Sequence, residues 1–183
     1  MAFNGTFSKL SIEERQAILD SGTTRRFKDG QLIIEQGIVL QGIFVVTEGE
    51  VRVEHGVRVV RKTRVKGRDG VIRTEEVPGR LSVEIARLGR GAIFGEMSFV
   101  DDSPTSASVA AVGDVETMFI DTAQMNRNLD KEDGFAKRFY HSLAVELSKR
   151  LREANKRSRG GQPSPNAIAR NEAVFGGYTV ERD

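Results

Sequence analysis

The run Leu88-Gly89-Arg90-Gly91-Ala92-Ile93-Phe94-Gly95-Glu96-Met97-Ser98-Phe99 leads through Val100-Asp101-Asp102-Ser103 to Pro104-Thr105-Ser106-Ala107-Ser108-Val109. It concentrates the residue types of an anion cradle. Glycines at 89, 91 and 95 permit tight turns and close approach of the backbone to a ligand, and a short turn after Phe94 would aim several N–H groups inward. Glu96 is an acceptor suited to sugar hydroxyls, while Thr105, Ser106 and Ser108 are compact donors. Each has a structural alternative: the glycines mark corners, Glu96 pairs with an arginine, and Thr105 and Ser106 cap the turn after Pro104.

Other chemistry finds little support. The chain contains no cysteine, which excludes disulfides, thiolate metal sites and cysteine nucleophiles and fits a reducing compartment. Its two histidines, His55 and His141, are far apart in sequence, whereas metal-dependent catalysis needs clustered imidazoles and carboxylates. The expectation is a non-enzyme with no metal and no cofactor beyond a nucleotide ligand.

Those residues need a scaffold. Ser11 followed three residues later by Glu14 is a capping box, so Ser8 and Ser11 open a helix whose apolar positions are Leu10, Ile12, Ile18 and Leu19, ending at Gly22. From Phe27 onward, short apolar runs at Leu32 to Ile34, Ile43 to Thr47 and Val51 to Val53 alternate with turn signals at Asp29-Gly30, Gly37 and Glu48-Gly49. Val57 to Val65 and Val71 to Val77 flank Lys66-Gly67-Arg68-Asp69-Gly70 and predict a basic hairpin. Leu81 to Leu88 alternates apolar and polar positions, and Ala107 to Val112 with Val115 to Ile120 predict a strand pair turned at Gly113-Asp114. Strands this short must bury one face against another sheet, which points to a roll or barrel.

After Asp121 the apolar period lengthens. Phe135, Phe139, Leu143, Leu147, Leu151 and Ala154 recur at intervals of three and four and predict one stripe along a helix of about twenty residues. The basic residues of that helix, Lys149, Arg150, Arg152, Lys156 and Arg157, are expected mostly on a solvated face. Ser158 to Asp183 is rich in Gly, Pro, Ser and Asn and predicts a flexible tail, with Ala173 to Val180 the piece apolar enough to dock.

With 28 Lys and Arg against 26 Asp and Glu, the net charge of +2 is too near balance to mark nucleic acid or membrane as a partner. Its distribution is uneven, with eleven basic and five acidic side chains between Arg52 and Arg90, so the remaining residues are net acidic. A solvated hairpin face and an anion- or partner-binding surface are both open. No long apolar run follows a basic start at the amino end and no stretch approaches the roughly 20 apolar residues of a membrane span, so a cytoplasmic protein is expected.

On these residues the sequence resembles the cyclic-nucleotide-binding domain family, which includes the bacterial catabolite activator protein and the regulatory subunits of cyclic-nucleotide-dependent kinases. The resemblance covers Phe7 to Lys156. Phe27, Gly30, Ile33, Gly37, Ile43, Val45, Val46, Gly49 and Val51 fall where that family places its first strands and their glycines. Gly91, Phe94, Gly95 and Glu96 match its phosphate-binding cassette, which continues through a one-turn helix to Pro104. The resemblance implies an α+β domain over residues 1–157, an antiparallel β-roll (double-stranded β-helix jelly roll) with an N-terminal helix and a long C-terminal helix, followed by a tail at 158–183.

It also implies a ligand site made of Phe94, Gly95, Glu96, Met97, Ser98, Pro104, Thr105, Ser106 and Ala107. In the family the backbone around Gly95 contacts sugar and phosphate, Glu96 holds the ribose hydroxyl, and Ser106 offers a further phosphate contact. An arginine directly after the cassette proline pairs with the cyclic phosphate; here Thr105 occupies that position. Losing a charge-assisted bond of about 1.5 to 3 kcal/mol weakens phosphate binding roughly ten- to a hundredfold. Arg80, Arg87 and Arg90 are candidate substitutes, and Thr105→Arg is expected to restore the charge.

The expected function is a non-catalytic sensor or regulatory module that binds cyclic AMP or cyclic GMP weakly, or an altered nucleotide such as a cyclic dinucleotide. The alternative is a ligand-free interaction or dimerisation module using the C-terminal helix and the basic hairpin. Since the family's last helix serves as dimer seam or lid, a homodimer through residues 135–157 is one expectation and a protein partner another. Direct DNA binding is not expected, because the tail is too short and too rich in breakers for a helix-turn-helix domain.

Overall fold

Ser11 opens the first helix through reciprocal bonds, its hydroxyl accepting from the Glu14 N–H at 3.2 Å while the Glu14 carboxylate accepts from the Ser11 N–H at 2.7 Å. The computed structural model describes residues 6–66, 71–159 and 178–180. Helix α1 (Ile12–Asp20) buries Ile18 and Leu19 and leaves Ile12 exposed. Strands β1 (Thr23–Phe27) and β2 (Leu32–Ile34) follow, both paired with β6 (Ser108–Asp121). The sheet runs β1, β6, β3 (Gly42–Lys66), β4 (Ile72–Gly89), with β5 (Ile93–Phe94) paired to β3.

The strands are longer than the sequence pattern predicts. Ile43 to Thr47, Val51 to Val53 and Val57 to Val65 belong to one strand, and Ser108 to Ile120 lies in a second, with no reversal at Gly113-Asp114. β3 and β6 run antiparallel from Gly42 opposite Asp121 to Glu54 opposite Ser108, and their register shifts between Val46 and Glu50. At that level Gly49 (φ 82) and Gly113 (φ 69) adopt the left-handed conformation. The turn residues therefore bend both strands through a shared corner instead of ending them.

Alternation along β3 feeds two cores. Ile43 and Val45 join Phe7, Leu10, Ile18, Met125, Leu129, Phe135, Phe139 and Leu143 beneath the helices. Phe44 and Val46 turn the other way, to Phe94, Val51, Val109, Ala111 and Val115 in the roll interior. Phe44 stacks on Phe94 with centroids 5.0 Å apart.

Helix α2 (Glu96–Asp101) is the one-turn cassette helix. α3 (Thr122–Leu129), which the sequence pattern did not resolve, is capped by Asp121, whose side chain accepts from the Ala123 N–H at 2.9 Å. α4 (Phe135–Arg159) carries the long apolar stripe, but its two halves differ. Phe135, Phe139 and Leu143 are buried, Leu147 is half-buried, and Leu151 and Ala154 are exposed.

The chain divides into two compact units, Met1–His55 with Glu84–Asn155, and Gly56–Val83 with Lys156–Asp183. The first holds the cassette. In the second, β7 (Tyr178–Val180) pairs antiparallel with Val59, Val60 and Arg61 of β3, so part of the apolar piece of the tail forms a strand. The rest of the predicted tail from 160 and the hairpin loop 67–70 lie outside the described residues.

Candidate functional site

Gly95 caps α2 at φ 80, a conformation that calls for glycine, and a Cβ there would also require the end of the Leu40 side chain to shift. This turn delivers Glu96 into the protein with 4 % of its surface exposed. Around it lies a cavity of about 100 Å³ with apolar walls from Ile34, Val53, Leu88, Phe94 and Val109. Of the nine residues predicted for the site, Phe94, Gly95, Glu96, Met97, Ser98, Thr105, Ser106 and Ala107 line this cavity, whereas Pro104 is exposed and does not.

The residue the sequence pattern missed is Arg150 of α4. Its Nη1 donates to Glu96 Oε1 at 2.7 Å and its Nη2 to the Ile93 carbonyl at 2.6 Å. Glu146 Oε1 lies 3.4 Å from Nε, which is buried and makes no hydrogen bond among the described residues. Arg150 was expected on a solvated helix face, yet its side chain is only 26 % exposed and forms part of the cavity wall. The available signal was its place one turn after Glu146 on the face that follows Leu143, but the partner 54 residues upstream leaves no local trace.

Burial raises the Glu96 carboxyl above the ordinary carboxylate range, and the Arg150 charge opposes that shift without cancelling it. The Arg150 bond engages Oε1 of this carboxylate, and a carboxylate carries further acceptor sites on its two oxygens.

Thr105 is buried and fully engaged elsewhere. Its hydroxyl donates to the Glu35 carbonyl at 2.6 Å and accepts from the Ile38 N–H at 3.2 Å. Its own N–H donates to the Ile38 carbonyl and its carbonyl accepts from the Gly37 N–H, both at 2.8 Å. The side chain staples the cassette to the turn before β3. Ser106, by contrast, is exposed, with its hydroxyl 3.8 Å from Met97 Sδ and its carbonyl 3.1 Å from His55 Nδ1.

Arg87 and Arg90 do not line the cavity. Arg87 is held by Glu84 and Glu50, and Arg90 lines a different, larger cleft of about 460 Å³ with Gln16, Asp20, Glu48 and Glu116; nothing is described of the Arg80 side chain. That cleft contains Gly91 but none of the nine residues predicted for the ligand site, so its size carries less weight than the convergence of residues around Glu96. No cluster of metal-ligating side chains occurs among the described residues, and His55 and His141 are both exposed.

This combination of a bent antiparallel roll, a glycine-led one-turn helix and an inward glutamate has close parallels. The sequence matches the family described as cyclic nucleotide-binding domain over residues 24–132. The cyclic AMP receptor protein of Thermus thermophilus is 32% identical over 152 residues, which cover 81% of this chain and 58% of that protein. A cAMP-dependent protein kinase regulatory subunit of Mycosarcoma maydis is 36% identical over 107 residues, 58% of this chain and 16% of that protein. Among solved structures, the Thermus thermophilus catabolite activator protein superposes with a TM-score of 0.60 at 28% identity, over 85% of this chain and 62% of that one. This chain belongs to the cyclic nucleotide-binding domain family, and it spans less than two thirds of the length of these relatives.

Proposed function

We propose that this chain is a non-catalytic, cytoplasmic regulatory module that senses a cyclic nucleotide, or an altered one such as a cyclic dinucleotide, in the cavity around Glu96. The observation that carries this reading is the ion pair between Glu96 and Arg150, the one Lys or Arg lining that cavity among the described residues. With Thr105 engaged in the staple, Arg150 is the cation an incoming phosphate meets. A cavity of about 100 Å³ is smaller than the roughly 300 Å³ at which small-molecule sites begin, so a nucleotide enters only as Arg150 leaves Glu96. Displacing that pair makes ligand binding and the position of α4 two aspects of one equilibrium.

The test is a thermal-shift and calorimetric comparison of wild type and Glu96→Ala with cyclic AMP, cyclic GMP and cyclic di-GMP. A ligand at a hundred times its dissociation constant stabilises the folded state by about 2.7 kcal/mol. Stabilisation that disappears in a folded Glu96→Ala variant supports the proposal. A retained response would remove Glu96 from the site, and no response to any of the three favours the interaction-module alternative.

That second reading has its own support. Tyr140, Leu147 and Leu151 stand seven and four residues apart on α4, with Tyr140 43% and Leu151 63% exposed, a spacing suited to a helix–helix seam. Self-association through this seam is compatible with sensing and does not require it.

A further inference from the structure

In the second compact unit, Val65, Val71, Ile72 and Val77 are 37%, 51%, 65% and 46% exposed. Val65 lies one residue before the end of β3 and Ile72 opens β4, its neighbour in the sheet, so both stand toward one end of this two-stranded ribbon. Four large aliphatic side chains in water within thirteen residues exceed the scattered exposure normal for a surface. Their surroundings are basic. Between Gly56 and Val83, leaving out 67–70, the sequence carries seven Lys and Arg against two Glu, Glu75 and Glu76, with Arg58 and Arg64 both exposed.

We infer that this ribbon is a peripheral docking surface for an anionic lipid bilayer. Aliphatic side chains flanked by cations suit the boundary between acyl chains and acidic headgroups, where apolar burial and charge attraction act together. A nucleic-acid duplex would engage the cations but leave the aliphatic end in water, so the bilayer accounts for both features. The basic excess of this segment supplies the attraction, whereas the residues outside Arg52 to Arg90 are net acidic. The contact is peripheral in kind, as no helix among the described residues is long and apolar enough to cross a membrane.

The experiment is co-sedimentation of the full chain with phosphatidylcholine vesicles, with and without phosphatidylglycerol, over a salt series. Binding is expected only to the phosphatidylglycerol vesicles and falls as salt rises. Val65→Glu combined with Ile72→Glu abolishes it, and Ile72→Ser, which adds no charge, weakens it by roughly three- to tenfold. Circular dichroism establishes that each variant is folded. No binding to anionic vesicles overturns the inference. So does binding that is unchanged in folded Ile72→Ser and in the double variant, because charge alone would then suffice. Tighter binding to duplex DNA than to anionic vesicles at equal salt assigns the ribbon to nucleic acid instead.

Discussion

Glu96 and Arg150 are 54 residues apart in sequence and 2.7 Å apart in space, and the same guanidinium also holds the Ile93 carbonyl immediately before the cassette turn. One side chain of α4 thus fixes both the acidic residue of the site and the backbone that leads into it.

Arg150→Met leaves Glu96 buried without its cation. The cost is expected at about 2 to 4 kcal/mol in urea denaturation, toward the lower end of what breaking a buried pair costs because Arg150 is a quarter exposed. Glu96→Gln with Arg150→Met removes both charges and should recover most of that loss. Strictly additive costs in the double variant would show that the two residues do not act as a pair.

Two glutamates pair with arginines of α4 and shift in opposite directions. Glu14 accepts from Arg138 and from the Ser11 N–H, which together hold its carboxyl below the ordinary range despite its burial. Its contribution is present above the unfolded value near 4.5 and is lost as pH falls through the lowered folded value. Glu96 is raised by burial, so its contribution is present below the unfolded value and is lost as pH rises through the folded one. Stability profiles should therefore lose acid sensitivity in Glu14→Gln and become less sensitive above about pH 4.5 in Glu96→Gln. Parallel displacement of both profiles from wild type would count against this assignment.

Thr105→Val removes a hydroxyl that serves Glu35 and Ile38 and should cost about 1 to 3 kcal/mol of stability. Thr105→Arg is expected to cost more and to bring no gain in cyclic AMP affinity, the reverse of what its position after Pro104 implies in the sequence. Calorimetry decides this: tighter binding by a folded Thr105→Arg variant would mean that the new side chain swings into the cavity.

Leu147→Glu with Leu151→Glu tests the seam on α4. Sedimentation equilibrium should show wild type associating and the variant monomeric and folded, since Leu151 contributes little to the intramolecular core. A wild type that stays monomeric at high concentration removes the seam.

The sequence discloses what depends on neighbours along the chain. Ser11 and Glu14 announce their helix because a capping box spans a single turn, and the cassette is recognisable because its glycines, Glu96 and Pro104 are contiguous. Gly113-Asp114 misleads for a physical reason: the same left-handed glycine that reverses a hairpin can bend a strand, and the choice is made by Gly49 on the opposite strand. Arg150 was illegible because a basic residue near the end of an amphipathic helix has a solvated default. Only the chain's return past β5 places it over Glu96. Thr105 stands where the resemblance expects an arginine, and its bonds to Glu35 and Ile38 accord with the structural alternative that its place after Pro104 also allows.

The division of α4 into a buried half and an exposed half separates two kinds of restraint. Phe135, Phe139 and Leu143 hold the first half by close packing, which is indifferent to ionic conditions, while Arg150 tethers the second half through charge. A competing anion can slacken the tether and leave the packed anchor in place. The outer turns of this helix thus behave as an arm fixed at a hydrophobic shoulder and held at the wrist by one charged bond.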